Sequence, residues 1–221
     1  MSNTSVIDPN TANYYAAYGE QAAAANLSFL KFAKGDWTVG QDDKPVPEGA
    51  EFIADMGTLK TGWVRWSGGK PTDTEMVSVA LGQTPSRRAD LPDNNPDEWE
   101  KDVNGPRDPW QFTNTLELAN PEDQADRVML SVSSRGGINA IGALCKTYGA
   151  HIRHAPEDLP VVALDSDSYK HTQYGKVFVP VLKVVAWVDR DGKQVAAEDG
   201  DARVAAEPEP APKKRAAGTR F

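Results

Sequence analysis

Two short stretches hold side chains whose types and spacing could do chemistry. In TGWVRWS (61–67), read as an alternating strand, Trp63, Arg65 and Ser67 fall on one side and Val64 and Trp66 on the other, with Lys60 and Lys70 close by. Indole rings interleaved with cations on a strand suit single-stranded nucleic acid. Bases stack on the rings at about 1–3 kcal/mol each, and the cations follow the phosphates. The plainer reading is that Trp66, Trp110 and Trp187 belong to the core, which leaves Trp63 as the exposed ring. In SYKHTQYGK (168–176), Tyr169, His171 and Gln173 share one side and Lys170, Thr172 and Tyr174 the other. Lys170, Tyr174 and Lys176 are the contact candidates there, against the alternative of an ordinary polar hairpin.

A third stretch, SVSSRGGINAIGALCKTYG (131–149), joins a strand-like run to a helix-like one through Ser-Ser-Arg-Gly-Gly. A helix N-terminus has unpaired N–H donors and partial positive charge, and glycines let backbone approach a ligand closely. Arg135 adds a full charge, and Lys146 lies further along the same helix. Two readings stay open: Ser133 or Ser134 caps the helix and nothing more, or the cap also contacts an anion.

Other chemistries lack their residues. The chain has no G-x-x-x-x-G-K-[ST], G-x-S-x-G or H-E-x-x-H pattern. Cys145, His151 and His154 have the spacing C-x5-H-x2-H without a good fourth zinc ligand, and Cys145 falls on an apolar helix face, unlike an activated nucleophile. Asp165-x-Asp167 is a weak candidate for a divalent ion. The expectation is a non-enzymatic protein with no metal and no cofactor. A single cysteine excludes an internal disulfide and points to a reducing compartment, the cytoplasm. No run of about 18 apolar residues is present, so no membrane span is expected, and the N-terminus lacks the build of a secretory signal.

The net charge of −8 argues against a uniformly basic nucleic-acid binder. Residues 27–188 hold 17 basic and 23 acidic side chains, so the body itself is acidic and any anion-binding face is a local patch.

The elements that must position these residues are mostly strands. GDWTVG (35–40), AEFIAD (50–55), TGWVRWS (61–67), EMVSVALG (75–82), WQFTNTLEL (110–118), VMLSVS (128–133), PVVALD (160–165) and KVFVPVLKVVAWV (176–188) read as strands. The pair 110–118 and 128–133 forms a hairpin with one wet face. Pro180 implies a bulge or a sheet edge. The spacing of Ile138, Ile141, Cys145 and Tyr148 predicts one helix over 138–148, with Gly149 as its stop. Residues 84–109 contain five prolines and must be mostly loop, of a length that in compact domains is usually functional or disordered. The organisation is a flexible arm (1–26), a β-rich domain (27–188) and a disordered tail (189–221). The fold class is mainly β, either a β-barrel of the OB type or an α+β sandwich, with one internal helix and flexible N- and C-terminal tails.

From GDWTVGQDDKPVP through SSRGGINAIGAL to YKHTQYGKVFVPVLKVVAW, over about residues 29–190, the chain resembles uncharacterised proteins of bacteriophages and prophages. The resemblance implies an accessory of phage DNA replication or recombination, with OB-type single-stranded DNA binding among the roles of such proteins. It carries over no residue roles. The combined reading is a single-stranded DNA-binding protein using Lys60, Trp63, Arg65, Arg135, Lys146, Tyr169, Lys170, Tyr174 and Lys176. The tail, PKKRAAGTRF, is basic at Lys213, Lys214 and Arg215 and ends in Phe221. It could touch nucleic acid weakly or recruit replication or recombination proteins. The alternative is a virion or assembly protein whose β-body associates with copies of itself.

Overall fold

The computed structural model describes residues 27–102, 105–172 and 175–195. Tyr174, the arm 1–26 and the tail beyond 195 lie outside the described residues.

Among the described residues, nine strands form one sheet that curls into a half-barrel, and a single α-helix packs against it. Mainly β with one helix is thus the observed class; the strand count is nine, where an OB barrel has five. In chain order the elements are β1 (Ser28–Ala33), β2 (Asp36–Val39), β3 (Lys44–Val46), β4 (Glu51–Ser67), β5 (Lys70–Ser78), the two-residue strands β6 (Lys101–Asp102) and β7 (Gly105–Pro106), β8 (Trp110–Ala119), β9 (Arg127–Val132), α1 (Arg135–His151), β10 (Leu159–His171) and β11 (Gly175–Val188). The sheet runs β11-β10-β4-β8-β9-β1-β2-β3, with β5 added beside β4. All pairings are antiparallel except that of β1 with β9. Pro180 sits in β11, an edge strand, where its missing N–H breaks no ladder.

One face of the curl carries the core. Leu30, Leu116, Leu118, Leu130, Val162 and Leu164 come from four strands and are fully buried with Leu144 of the helix. At about 1.5–3 kcal/mol for each large apolar side chain, this cluster dominates the folding free energy. The helix extends three residues beyond Tyr148. Gly149 does not stop it, because the chain ends the helix only where Ile152 N–H closes on the Tyr148 carbonyl.

Two expected strands, 50–55 and 61–67, are one strand of 17 residues. A bulge hides its continuity. Asp55 faces Glu117 and Lys60 faces Thr115, so residues 56–59 oppose Leu116 alone. Met56 and Leu59 both point into the core, which spoils simple alternation. Thr58 stitches the bulge: its hydroxyl donates to the Asp55 carbonyl at 2.8 Å and accepts from Glu117 N–H at 3.0 Å. Arg127 clamps it further, bonding the Asp55 and Glu117 carboxylates at 3.0 and 3.2 Å. Before the bulge β4 pairs with β10; after it β4 pairs with β5. The second half of β4 therefore leaves the barrel wall as a wing made of β4, β5 and β8.

The strand expected over 75–82 ends at Ser78, and strands at 28–33 and 44–46 were not foreseen. Residues 84–109 are mostly loop, as expected, with two single 3-10 turns and the small β6–β7 pair. Residues 189–195, assigned to the tail, turn back on the sheet: Val195 N–H bonds the Trp187 carbonyl at 2.9 Å.

Candidate nucleic-acid interface

The residues singled out in the sequence fall into two groups at opposite ends of the sheet. Ala163 of β10 faces Glu51 of β4. From that rung, Lys170 lies seven residues one way and Arg65 fourteen the other. At about 3.3 Å per residue, the groups stand tens of ångströms apart.

The first group surrounds the β10–β11 hairpin. Lys170 pairs directly with Lys176, and Ser168 with Phe178, so both lysines and the phenyl ring share a face. The Lys176 ammonium lies 4.5 Å from the centre of the Phe178 ring. Tyr169 sits on the opposite face beside Val177 and is 52% exposed. A third cation joins from the β1–β2 hairpin, whose two-residue turn is Lys34-Gly35. Both residues have positive φ, 55° and 100°, the geometry that a tight hairpin of this hand demands. Gly35 is needed twice over, since a Cβ there would stand 2.8 Å from the Phe178 ring. That contact brings Lys34 to the hairpin. Lys34, Lys170 and Lys176 are exposed and form no ion pair among the described residues.

Arg135 opens α1 and is exposed close to this end, because the next residue, Gly136, packs on Val179 of β11. The cap itself is now defined. The Ser134 hydroxyl accepts from Gly137 N–H at 3.1 Å. A Cβ on Gly136 would meet Val179 Cγ1 at 2.8 Å, and one on Gly137 would meet Val132 Cβ at 2.6 Å. The two glycines therefore let the helix start lie against β11 and β9. Lys146 is exposed 11 residues further along, about three turns away.

The second group lies on the wing. Lys60 is exposed. Trp63 and Arg65 spend their polar groups on the 84–109 insert. Trp63 Nε1 donates to the Ser86 carbonyl at 2.9 Å, and its ring meets Phe112 edge-on at 5.3 Å. Arg65 binds Asp93 through Nε at 2.8 Å and Nη2 at 3.3 Å, and Thr72 through Nη1 at 3.0 Å. The Arg65 guanidinium, with help from the Trp110 indole N–H, holds the Asp93 carboxyl below the usual range. The insert has its own polar centre in Arg88, whose guanidinium bonds Asp108, Asn94 and the carbonyls of Pro92 and Asp93. Trp66, expected in the core, is 37% exposed; Trp110 is buried, and Trp187 is half-buried.

Sequence reasoning missed Lys34 and Phe178. Lys34-Gly35 is a hairpin-turn dipeptide between two apolar runs, so its turn was detectable; its approach to Phe178 was not. The remaining candidates resolve differently. His151 Nε2 lies 2.7 Å from Asp158 Oδ2, and its ring stacks on Trp187 at 3.5 Å and 5°. Burial pushes the Cys145 thiol up in pKa. Among the described residues, no three His, Cys, Asp or Glu side chains converge on a metal-sized point. Asp165 and Asp167 each bond the N–H of the next residue. No described helix is long and apolar enough to cross a membrane. Compared with family models, curated proteins and solved structures, the chain matches none.

Proposed function

We propose that the protein is a non-enzymatic single-stranded DNA-binding protein that grips its ligand at the β10–β11 end of the half-barrel. The observation that carries this is the Lys170–Lys176 cross-strand pair, with Lys176 over Phe178 and Lys34 drawn in through Gly35. Three cations without ion-pair partners among the described residues stand on a chain of net charge −8. Like charges directly opposite each other weaken a sheet, so such a pair is easiest to account for by an anion that bridges it. Tyr169 on the other face offers a ring for a base, and Arg135 a further phosphate contact. A strand crossing the hairpin tip reaches both faces. Flexible single strands can make that crossing; a duplex, with a persistence length of about 150 base pairs, cannot. In this reading the protein acts in the cytoplasm of a bacterial host, as an accessory of phage replication or recombination.

The test is anisotropy of a labelled oligo-dT and of a matched duplex, at about 50 and 200 mM salt. Binding should favour the single strand and weaken with salt. Changing Lys170 and Lys176 together to Glu should cost at least about tenfold in affinity and flatten the salt slope. An affinity unchanged in the double variant would remove this end from the model. A stable oligomer with no affinity for either nucleic acid would favour self-assembly instead.

A further inference from the structure

The wing carries a second concave feature, far from the hairpin. A cleft of about 190 Å³ opens between the β4–β5 turn and the insert, with Trp66 and Trp99 among its walls. Its charged groups are Arg107, Glu98 and Glu100, together with the paired Arg65 and Asp93 and with Asp108.

The walls are fixed in place. Trp99 Nε1 donates to the Asp93 carbonyl at 2.7 Å, and the Arg88 guanidinium lies 5.8 Å from its ring. Glu100 Oε1 accepts from Gly68 N–H at 2.9 Å and Ser67 Oγ at 3.1 Å, and these bonds lower its pKa, so it stays an acceptor at neutral pH. Glu98 Oε1 accepts from Asn95 Nδ2 at 2.8 Å. Arg107 is held by Gln111 when the amide oxygen of Gln111 faces the guanidinium. Trp66 is different. Its backbone N–H bonds Pro109, yet its indole N–H has no partner among the described residues, and the ring is partly exposed.

The chemistry of this lining selects among ligands. Both signs of charge are present, and Asp93 and Asp108 are already paired with arginines, so a simple ion gains little net field. What remains is a flat apolar face, rigid acceptors at Glu98 and Glu100, and donors at Arg107 and the Trp66 indole. A ring with one apolar face and a rim of hydroxyls satisfies all of these together: C–H groups against the indole, hydroxyls to carboxylate and guanidinium. We infer that the Trp66–Trp99 cleft is a binding site for a pyranose sugar, free or within a glycan.

The experiment is a titration of the full chain with glucose, galactose, mannose and N-acetylglucosamine, and with maltotriose and chitotriose, read by tryptophan emission and by calorimetry. At least one sugar should bind saturably, in the millimolar range expected of a small site. The trisaccharides distinguish a free sugar from a glycan: tighter binding than by the matching monosaccharide places the source in a glycan. Trp66→Ala should weaken binding at least about tenfold, with far-UV dichroism unchanged because the ring is a surface group. Glu100→Gln should also weaken it. Guanidinium and methylammonium ions, titrated in parallel, should not compete. Failure of all six sugars, binding that survives Trp66→Ala, or competition by the cations would each overturn the inference.

Discussion

Replacing Gly137 by alanine tests what Ser-Ser-Arg-Gly-Gly is for. In a helix interior the change should stabilise by roughly 0.5–1 kcal/mol, because alanine loses less conformational freedom on folding. Here the new Cβ would lie 2.6 Å from Val132 Cβ and 2.9 Å from Val132 Cγ1. Carbon atoms in contact prefer about 3.5–4.0 Å, so the overlap is about 1 Å. Val132 Cβ is attached directly to the β9 backbone and cannot rotate away. The helix start must lift off the strand, at an overpacking cost of about 1–3 kcal/mol. Displacement also strains the Ser134 cap on Gly137 N–H, which contributes about 1 kcal/mol. The net expectation is a loss of about 1–2 kcal/mol, after subtracting the propensity gain. Gly142→Ala is the internal control. It lies in the same helix with nothing within 4 Å of its Cβ, so it should gain roughly 0.5–1 kcal/mol. Urea unfolding followed by far-UV dichroism reads both, as shifts in midpoint at constant slope. If Gly137→Ala is as stable as the parent but loses affinity for oligo-dT, the packing argument fails and the glycine serves ligand approach.

Acidification should release the insert before it unfolds the barrel. The folded-state pKa of Asp93 is lowered by Arg65, so its contribution is fully present above the ordinary carboxylate value of 3.8 and is lost as pH falls below it toward the depressed one. Limited proteolysis between about pH 3 and 6 should show cuts within 84–109 appearing only at the acid end; cuts at all pH values would refute the anchoring role. Changing Arg88 to Ala should expose the same segment at neutral pH, with the helix signal retained, because it removes the one side chain that binds Asp108, Asn94 and two carbonyls together. Cys145 should react slowly with a thiol reagent in the native state and at the rate of a free thiol in denaturant, since burial raises its pKa and shields it. Fast native labelling would place it outside the core-facing side of α1.

Several features were legible from residue order because local physics decides them. The β8–β9 hairpin alternates apolar and polar side chains around a turn, and it forms at Trp110–Ala119 and Arg127–Val132. The apolar stripe of α1 buries Ile141 and Leu144 as its spacing requires. Serine capping of that helix was among the two readings, and Ser134 does it. Periodicity failed where two faces point inward in succession, as at Met56 and Leu59 in the β4 bulge. There the number of residues opposing Leu116 is set by the partner strand, which no window of sequence contains.

The residue pattern of this chain determined a mainly β protein with one capped helix, and alternation assigned Trp63 and Arg65 to the side of β4 opposite Trp66. Which of those sides meets water was decided only by tertiary structure. The insert folds back so that Ser86 bonds Trp63 and Asp93 bonds Arg65, and Arg65 and Trp66 both line the cleft it leaves. Likewise, alternation puts Lys170 and Phe178 on defined faces of their strands, but only the closed hairpin and the turn at Gly35 gather Lys34, Lys170, Lys176 and Phe178 at one end. A strand's period specifies that its faces differ; what lies over each face depends on segments distant in sequence, and so on the fold.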